Sequence, residues 1–597
     1  MTYFLRKYWD TLLLLAISII AYGQTLFMYF LHDDYAVYYL FQQGKILGYP
    51  YQINSLLANA AISLFGLNSA AYFMLAIILF FIVSIIFKNF IYLLTKDRAI
   101  SFICAALFAS GYVGQRAIEM FLGNGIVTLP ALTFFFLCLI GLIKYVNLQK
   151  NKWLLLSLLS FALTLEIAPH RHASFFIVNL GVLVLFLSRK RVKKFFILAI
   201  MFGALTFVEL FVHPTKLLLG YETGSSSNFI VSILSTINSK NILNLFGSFW
   251  NSVYPVNNNS SPVTAGVILF LFIVSLLLLK VPKYDRAVKI MLVLILGSLL
   301  TFFMAVPDLV LESEHRYLLT VSYASAIIPL TLISRSGKKM AAILIASAII
   351  LLRLSSGVIS QREFVNSYSR HSKNIFSQIK TYIPIINSPV AIYIEGSTKA
   401  LNFAVGDAFR VGVLPSEAAV AVHYKTSMEN IILPESLSQM EEVFSKNKMS
   451  LNDIYTFIYD GNSLKDTSLT TRRLIKDSPQ PVDVLPSSWQ VVDRGYLFEP
   501  DFQIETLVPV FLHISIDLSS KSWNNSLSGE KIVVRWEYNT SGDIREKMEA
   551  EMLIKTGRNL LDIKIPAGGE YLSRIRIDFD KSELNSKINY AKFSYEK

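Results

Sequence analysis

In the apolar half of this chain, carboxylates, histidines and arginines gather in a few short stretches. His32-Asp33-Asp34-Tyr35 closes the first long apolar run, and Arg116 and Glu119 lie between two others. Glu166 is followed by His170-Arg171-His172, His213 ends a further run, and Glu312 with Glu314-His315-Arg316-Tyr317 opens a late one. A carboxylate within hydrogen-bond reach of a hydroxyl can take its proton. Arginine and protonated histidine form charge-assisted hydrogen bonds to phosphate. Each stretch also has a plainer explanation. Asp caps helix N-termini, Arg and Tyr anchor membrane interfaces, and short outer loops are polar. Taken singly, the plainer explanation is the stronger for every stretch except Asp33-Asp34, where the two are evenly matched. Adjacent carboxylates at a hydrocarbon boundary are costly without a partner or a task. Taken together on one side of a membrane, the set marks a place where a lipid phosphate and a polar acceptor can meet.

The elements that would position these residues are apolar runs. Of 597 residues, 53% are hydrophobic and 16% charged, where a soluble protein carries about 25% charged residues. The excess lies before about Ser356. A span takes about 20 apolar residues, and the candidates are 10–30, 70–94, 98–115, 126–146, 152–168, 172–188, 194–212, 263–281, 286–306, 316–334 and 339–355. The 152–188 region reads either as two short spans or as a re-entrant pair. The net charge of +13 sits largely in short loops between runs, as in Arg189-Lys190-Arg191 with Lys193-Lys194. That is a topogenic signal rather than a nucleic-acid surface. Arg6-Lys7, Lys96/Arg98, Lys144/Lys150/Lys152, Arg189 to Lys194, Lys280/Lys283/Arg286 and Arg335/Lys338/Lys339 alternate with the longer or acidic loops 31–69, 116–125, 169–171, 213–262 and 307–315. The basic set is expected in the cytoplasm, with a retained first span and the tail on the outer face. Both cysteines, Cys104 and Cys138, fall inside apolar runs, so no disulfide or thiolate metal cluster is expected in the tail.

Residues 35–47 and 53–65 carry apolar positions at helical spacing and read as amphipathic helices on the membrane surface, with a third expected within 228–249. The tail leaves the membrane through a polar helical pattern at 358–382. Val390-Ala391-Ile392-Tyr393-Ile394 with Glu395-Gly396-Ser397 and a following helical stretch read as strand, turn and helix. From Trp489 onward short alternating strands suggest a β-sandwich or jelly roll. Trp489, Trp523 and Trp536 either stack on sugars there or fill the core, the second being the commoner use. The expected fold is thus an α-helical polytopic membrane protein of about eleven spans with a C-terminal extracytoplasmic α/β plus β-sandwich region. It divides into 1–355, 356–486 and 487–597.

The membrane half resembles the GT-C glycosyltransferases, polytopic enzymes that use polyprenyl-phosphate sugar donors. Asp33-Asp34 matches the family's acidic pair directly after the first span, ahead of surface helices. Thr164-Leu165-Glu166 resembles its later acidic position, although the commonly preceding Lys is absent. Glu314-His315-Arg316-Tyr317-Leu318-Leu319 looks like the Arg-Tyr segment that meets the donor phosphate. The Asp-Asp form looks closer to bacterial lipid- or polysaccharide-modifying members than to protein mannosyltransferases. The resemblance implies a hexosyl- or pentosyltransferase (EC 2.4) of the plasma membrane, acting in cell-envelope glycan, lipid or protein glycosylation. Asp33 is implied as general base ahead of Asp34, with Arg316, Arg171 and His315 at the donor phosphate. His32, Glu166, His170, His172, Tyr317 and Glu314 complete the candidate site. Some members use a divalent metal and others do not. Asp33, Glu166 and His170, with Asp34 and His172, offer ligands for Mg, Mn or Zn, without a dedicated metal motif in their spacing. Two competing readings are weaker. A lipid-linked oligosaccharide polymerase or ligase would place Arg and His in one large outer loop, and 213–262 holds little of either. A transporter or flippase would carry ionisable residues deep in broken spans, whereas the charges here are expected at the outer edges.

Overall fold

The computed structural model describes residues 2–44, 52–111, 118–167, 172–187, 191–212, 246, 267–268, 285–305 and 318–412. From 414 to 595 it describes all but short stretches at 437–438, 441–442, 445, 447–448, 478–481, 493–494, 501–503, 505–509, 520–529, 541–542, 555–556, 566–570 and 580–584. The chain forms two compact units, Met1–Arg370 and His371–Lys597.

The first unit is helical. Its main helices are α1 Thr2–Tyr22, α2 Asp33–Gln42, α3 Gln52–Phe65, α4 Ser69–Thr95, α5 Arg98–Ala109, α6 Ile126–Leu148, α7 Asn151–Ile167, α8 Phe175–Phe186, α9 Val192–Phe207, α10 Asp285–Ala305, α11 Ile327–Ser336 and α12 Lys339–Phe364. Among the described residues five helical runs are long and apolar enough to cross a membrane: Tyr8–Phe27, Ser69–Thr95, Phe121–Leu148, Val192–Val212 and Lys339–Tyr382. Helices α5, α7 and α8 cover further expected spans but are shorter than the roughly 20 residues of a straight crossing. The 152–188 region is two helices, α7 and α8. Nearly all of the expected span 263–281 and of the expected helix at 228–249 falls outside the described residues.

Aromatic side chains hold this unit together. Phe87 of α4 packs against Phe108 of α5, Phe136 of α6 and Tyr323, all buried, with ring centroids 5.1–5.8 Å apart. Such contacts suit helices in lipid, where dispersion rather than water exclusion drives association. Polar ties mark two ends. At one end Asp10 accepts from Lys88 (3.3 Å) and Arg98 (3.0 Å), and Lys339 pairs with Asp97 at 2.6 Å. Two of the basic stretches, through Arg98 and Lys339, therefore meet there. At the other end Tyr22 Oη donates to the Gly111 carbonyl, Gln361 Nε2 to the Ala21 carbonyl (2.8 Å), and the Tyr29 amide to Ser369 Oγ (2.5 Å).

The second unit starts on α13 Arg370–Tyr382 and an α/β layer. Strand β1 (Val390–Gly396) is buried along its whole length, runs parallel to β2 (Ile431–Ile432) and β3 (Ile454–Tyr459), and β3 pairs antiparallel with β4 (Leu464–Asp466). Helices α14 (Lys399–Phe409) and α15 (Glu417–Tyr424) connect β1 to β2, as a parallel pair requires. The expected strand–turn–helix is present: Thr398 caps α14 by accepting from the Leu401 amide at 3.2 Å. After α16 (Ser468–Asp477) come β5 Val482–Val484, β6 Trp489–Val492, β7 Gly495–Phe498, β8 Val510–Ser519, β9 Glu530–Thr540, β10 Asp543–Ile554, β11 Gly557–Ile565, β12 Tyr571–Phe579 and β13 Asn585–Tyr595. They form two sheets, β10-β9-β12-β7-β6 and β11-β8-β13-β5. Alternating residues of both sheets, such as Leu512/Ile514/Ile516 and Ile532/Val534/Trp536, share one buried core. Trp489 and Trp536 belong to that core, so stacking on sugar falls away for these two. Trp523 lies outside the described residues.

Candidate active site

The loop after α1 turns on His32, whose backbone sits at φ 44° and ψ −109°, a conformation L-residues seldom adopt. The turn starts α2 with Asp33 and Asp34 in its first coil, where the helix dipole favours negative charge. The helix was expected as an amphipathic surface element. Instead Asp34, Tyr35, Ala36, Val37, Tyr38 and Tyr39 are all buried. Consecutive burial means packing on several sides, and aromatic neighbours supply it: Phe30 lies 5.4 Å from Tyr72 and 5.9 Å from Tyr38, centroid to centroid.

The two carboxylates differ sharply. Asp34 is 1% exposed. Its Oδ1 accepts from the Gly123 amide at 3.1 Å and its Oδ2 from the Leu31 amide at 3.4 Å. Burial pushes its carboxyl up to about 7, the two amides pull it down, and the charge of Asp33 adds to the rise. Asp33 is half-exposed. A Cβ on Gly123 would stand 2.4 Å from the Asp33 Cβ. Glycine is therefore what lets the π-turn Phe121–Gly125 come close enough to donate to Asp34. Asp34 is a buried tie between the turn after α1 and the π-turn before α6, and Asp33 is the more accessible carboxylate.

Elsewhere the unit buries further ionisable side chains. Glu119 is fully buried in the stretch ahead of the π-turn. Arg353, 1% exposed, donates from Nη1 to the Leu107 carbonyl (2.8 Å) and to Ser325 Oγ (2.9 Å). Glu166, near the end of α7, lies beside the buried Glu209 in the turn that closes the α9 span. His172 is buried, its ring 5.3 Å from Phe175. Arg116, His170, Arg171, His213, Glu312, Glu314, His315, Arg316 and Tyr317 lie outside the described residues.

Arg353, Glu209, Gln361 and Gly123 were not singled out from the sequence. The signal for Arg353 was there: a lone arginine inside the apolar run 339–355. It corrects the expectation that charges keep to the outer edges, because α12 extends to Phe364 and leaves Arg353 in its interior. Pro130 lies near the start of α6, just after the π-turn, and the helix continues through it to Leu148. Arg353 is nevertheless enclosed in protein and hydrogen-bonded, which is not the position of a conduit wall.

No protein-family model matches this chain, and no curated protein does. Two solved structures resemble it in outline. One is ArnT from Cupriavidus metallidurans bound to undecaprenyl phosphate, 9% identical, covering 79% of this chain and 96% of its own, with a TM-score of 0.42. The other is the Archaeoglobus fulgidus oligosaccharyltransferase in complex with zinc and sulfate, 10% identical, covering 97% of each chain, with a TM-score of 0.38. Similarity at that level is too low to carry the fold or the site across, which therefore stand on the residues themselves.

Among the described residues no group of three His, Cys, Asp or Glu is placed to hold a metal ion. Elsewhere, on the β8-β11-β13 sheet, Asp562 Oδ1, His513 and Ser594 Oγ follow one another at 2.7 Å and 2.7 Å, the order of a hydrolase triad. There Asp562 is 74% exposed, and the sheet amides beside it pair with neighbouring strands. The arrangement is cross-strand surface pairing.

Proposed function

We propose that this chain is an integral membrane glycosyltransferase of the GT-C type, moving a sugar from a polyprenyl-phosphate donor to an acceptor hydroxyl on the extracytoplasmic face. The observation that carries it is the division of labour in Asp33-Asp34. A buried acid tied to two backbone amides fixes the turn, and its partly exposed neighbour is the one a substrate can reach. Asp33 takes the proton of the acceptor hydroxyl as its oxygen attacks the anomeric carbon. The bond from that carbon to the donor phosphate oxygen breaks, and polyprenyl phosphate leaves with the electron pair. Arg316, with Arg171 and His315, meets the charge that grows on the phosphate. One in-line displacement inverts the anomeric centre. No step is routed through a metal.

The reading takes its topology from the alternation of basic loops. It has eleven spans, the N-terminus in the cytoplasm, the tail outside, and a division at 1–355, 356–486 and 487–597. The sugar is a hexose or pentose, and the acceptor a glycan, lipid or protein. Membranes carrying the chain, supplied with radiolabelled polyprenyl-phosphate sugars, are expected to move label from the lipid to a polar product. If no such donor loses its sugar, the class is wrong.

A further inference from the structure

The second unit contains a cavity of about 610 Å³, the size of a small-molecule site. It lies against β1, α14, the start of α15, the chain just after β2, and β11. Three features set it apart from a packing defect. First, its wall holds a buried carboxylate. The Glu395 side chain is 4% exposed, accepts from Tyr393 Oη at 3.4 Å and faces Nζ of the exposed Lys564 at 3.6 Å. Burying a carboxylate costs desolvation that a mere gap in the packing gives no reason to bear. Second, Gly406 sits within α14 and faces the space. A glycine in a helix interior is destabilising, and the usual reason is a neighbour too close for a Cβ. Here a Cβ would meet nothing within 4 Å. The helix thus turns a position without a side chain toward the open space. Third, the lining carries excess negative charge. Glu395 and Lys564 balance, which leaves Glu417, half-exposed, and Glu435, exposed, at the mouth.

These groups define the ligand. Carboxylates only accept hydrogen bonds, an ammonium only donates, and the rest of the wall combines apolar side chains such as Val405 and Phe409 with the polar Asn402 and Ser416. A ring with hydroxyls on its edge and C–H groups on its face fits both, and an anionic ring is repelled. We propose that this cavity binds a hydroxyl-rich, non-anionic sugar unit, with Glu395, Glu417 and Glu435 accepting from its hydroxyls and Lys564 donating. The proposal concerns binding in the second unit alone and stands whether or not the first unit transfers sugar.

The test uses the full chain in lipid nanodiscs, free of sugar-headed detergent, and saturation-transfer NMR. The probes are glucose, galactose, mannose and N-acetylglucosamine, with glucuronate as the anionic control. Saturation is expected on at least one neutral sugar and not on glucuronate. Gly406→Phe, which fills the space, and Glu417→Lys, which reverses charge at the rim, should each lower the signal at least fivefold, while Gly406→Ala retains it. Should Gly406→Phe fail to fold by thermal melting, Glu417→Lys decides. No saturation on any neutral sugar, equal saturation on glucuronate, or an undiminished signal in the folded variants overturns the proposal.

Discussion

The two units treat charge in opposite ways. In the helical unit Asp10, Asp34, Glu119, Glu209 and Arg353 are all buried. In the sandwich, Lys531–Glu551, Arg535–Glu549 and Arg574–Glu499 pair across strands with both partners about half exposed. A sheet with one face to water can turn its charges outward. A helix surrounded by apolar surface cannot, so each buried charge there needs a partner or a use. The same residue types therefore carry different information. A charged pair on the sandwich says little, and a charged residue in the helical unit marks a tie or a site.

The comparison breaks most readily at Arg353. Arg353→Leu leaves the Leu107 carbonyl and Ser325 without their donor, and is expected to destabilise the helical unit by about 1–3 kcal/mol for each group left unsatisfied, read by thermal unfolding in nanodiscs. In the other unit Trp536→Ala should cost about 3–5 kcal/mol through its cavity, whereas Arg574→Ala at the surface should cost less than about 1 kcal/mol. If Arg574→Ala matched Arg353→Leu, the contrast between units would fail. Gly123→Ala is milder, about 1–3 kcal/mol of overpacking against Asp33, and should reduce sugar transfer more than it lowers the melting point.

Acidity sharpens the same contrast. Asp34 rises on folding from 3.8 to about 7, so the native state binds more protons between those values and stability falls as pH rises through them. His423 is buried in the second unit, stacked on Phe376 at 4.1 Å and donating from Nδ1 to the Ala419 carbonyl. Burial pushes it down from 6.5 to about 4, so the unfolded state binds more protons there and stability rises with pH. Asp34→Asn should flatten the falling slope, and His423→Gln the rising one, in melting curves taken from pH 4 to 7. Unchanged slopes in both variants would contradict these assignments.

Much of the helical unit was readable because a span needs only local apolarity and its flanking basic residues. Asp33 and Asp34 stood out as charges beside an apolar run. Their different fates could not be read, because the Asp34 tie reaches Gly123, 89 residues away, and nothing local to either residue announces it. Glu209 escaped notice for the same reason, since its neighbour Glu166 comes from another helix. The burial of α2 also depended on partners from elsewhere, Phe30 and Tyr72 among them. The alternation in 511–517 and 531–536 was enough to read strands, while the split into two sheets rests on pairings between distant strands such as β12 and β7.

The central claim is that Asp33 acts on substrate and Asp34 holds the turn. The most direct measurement is the transfer rate from a polyprenyl-phosphate sugar for Asp33→Asn beside the parent, with the melting point of each. The account predicts a fall of about 10²-fold or more in rate at an unchanged melting point. A full rate in Asp33→Asn would contradict it.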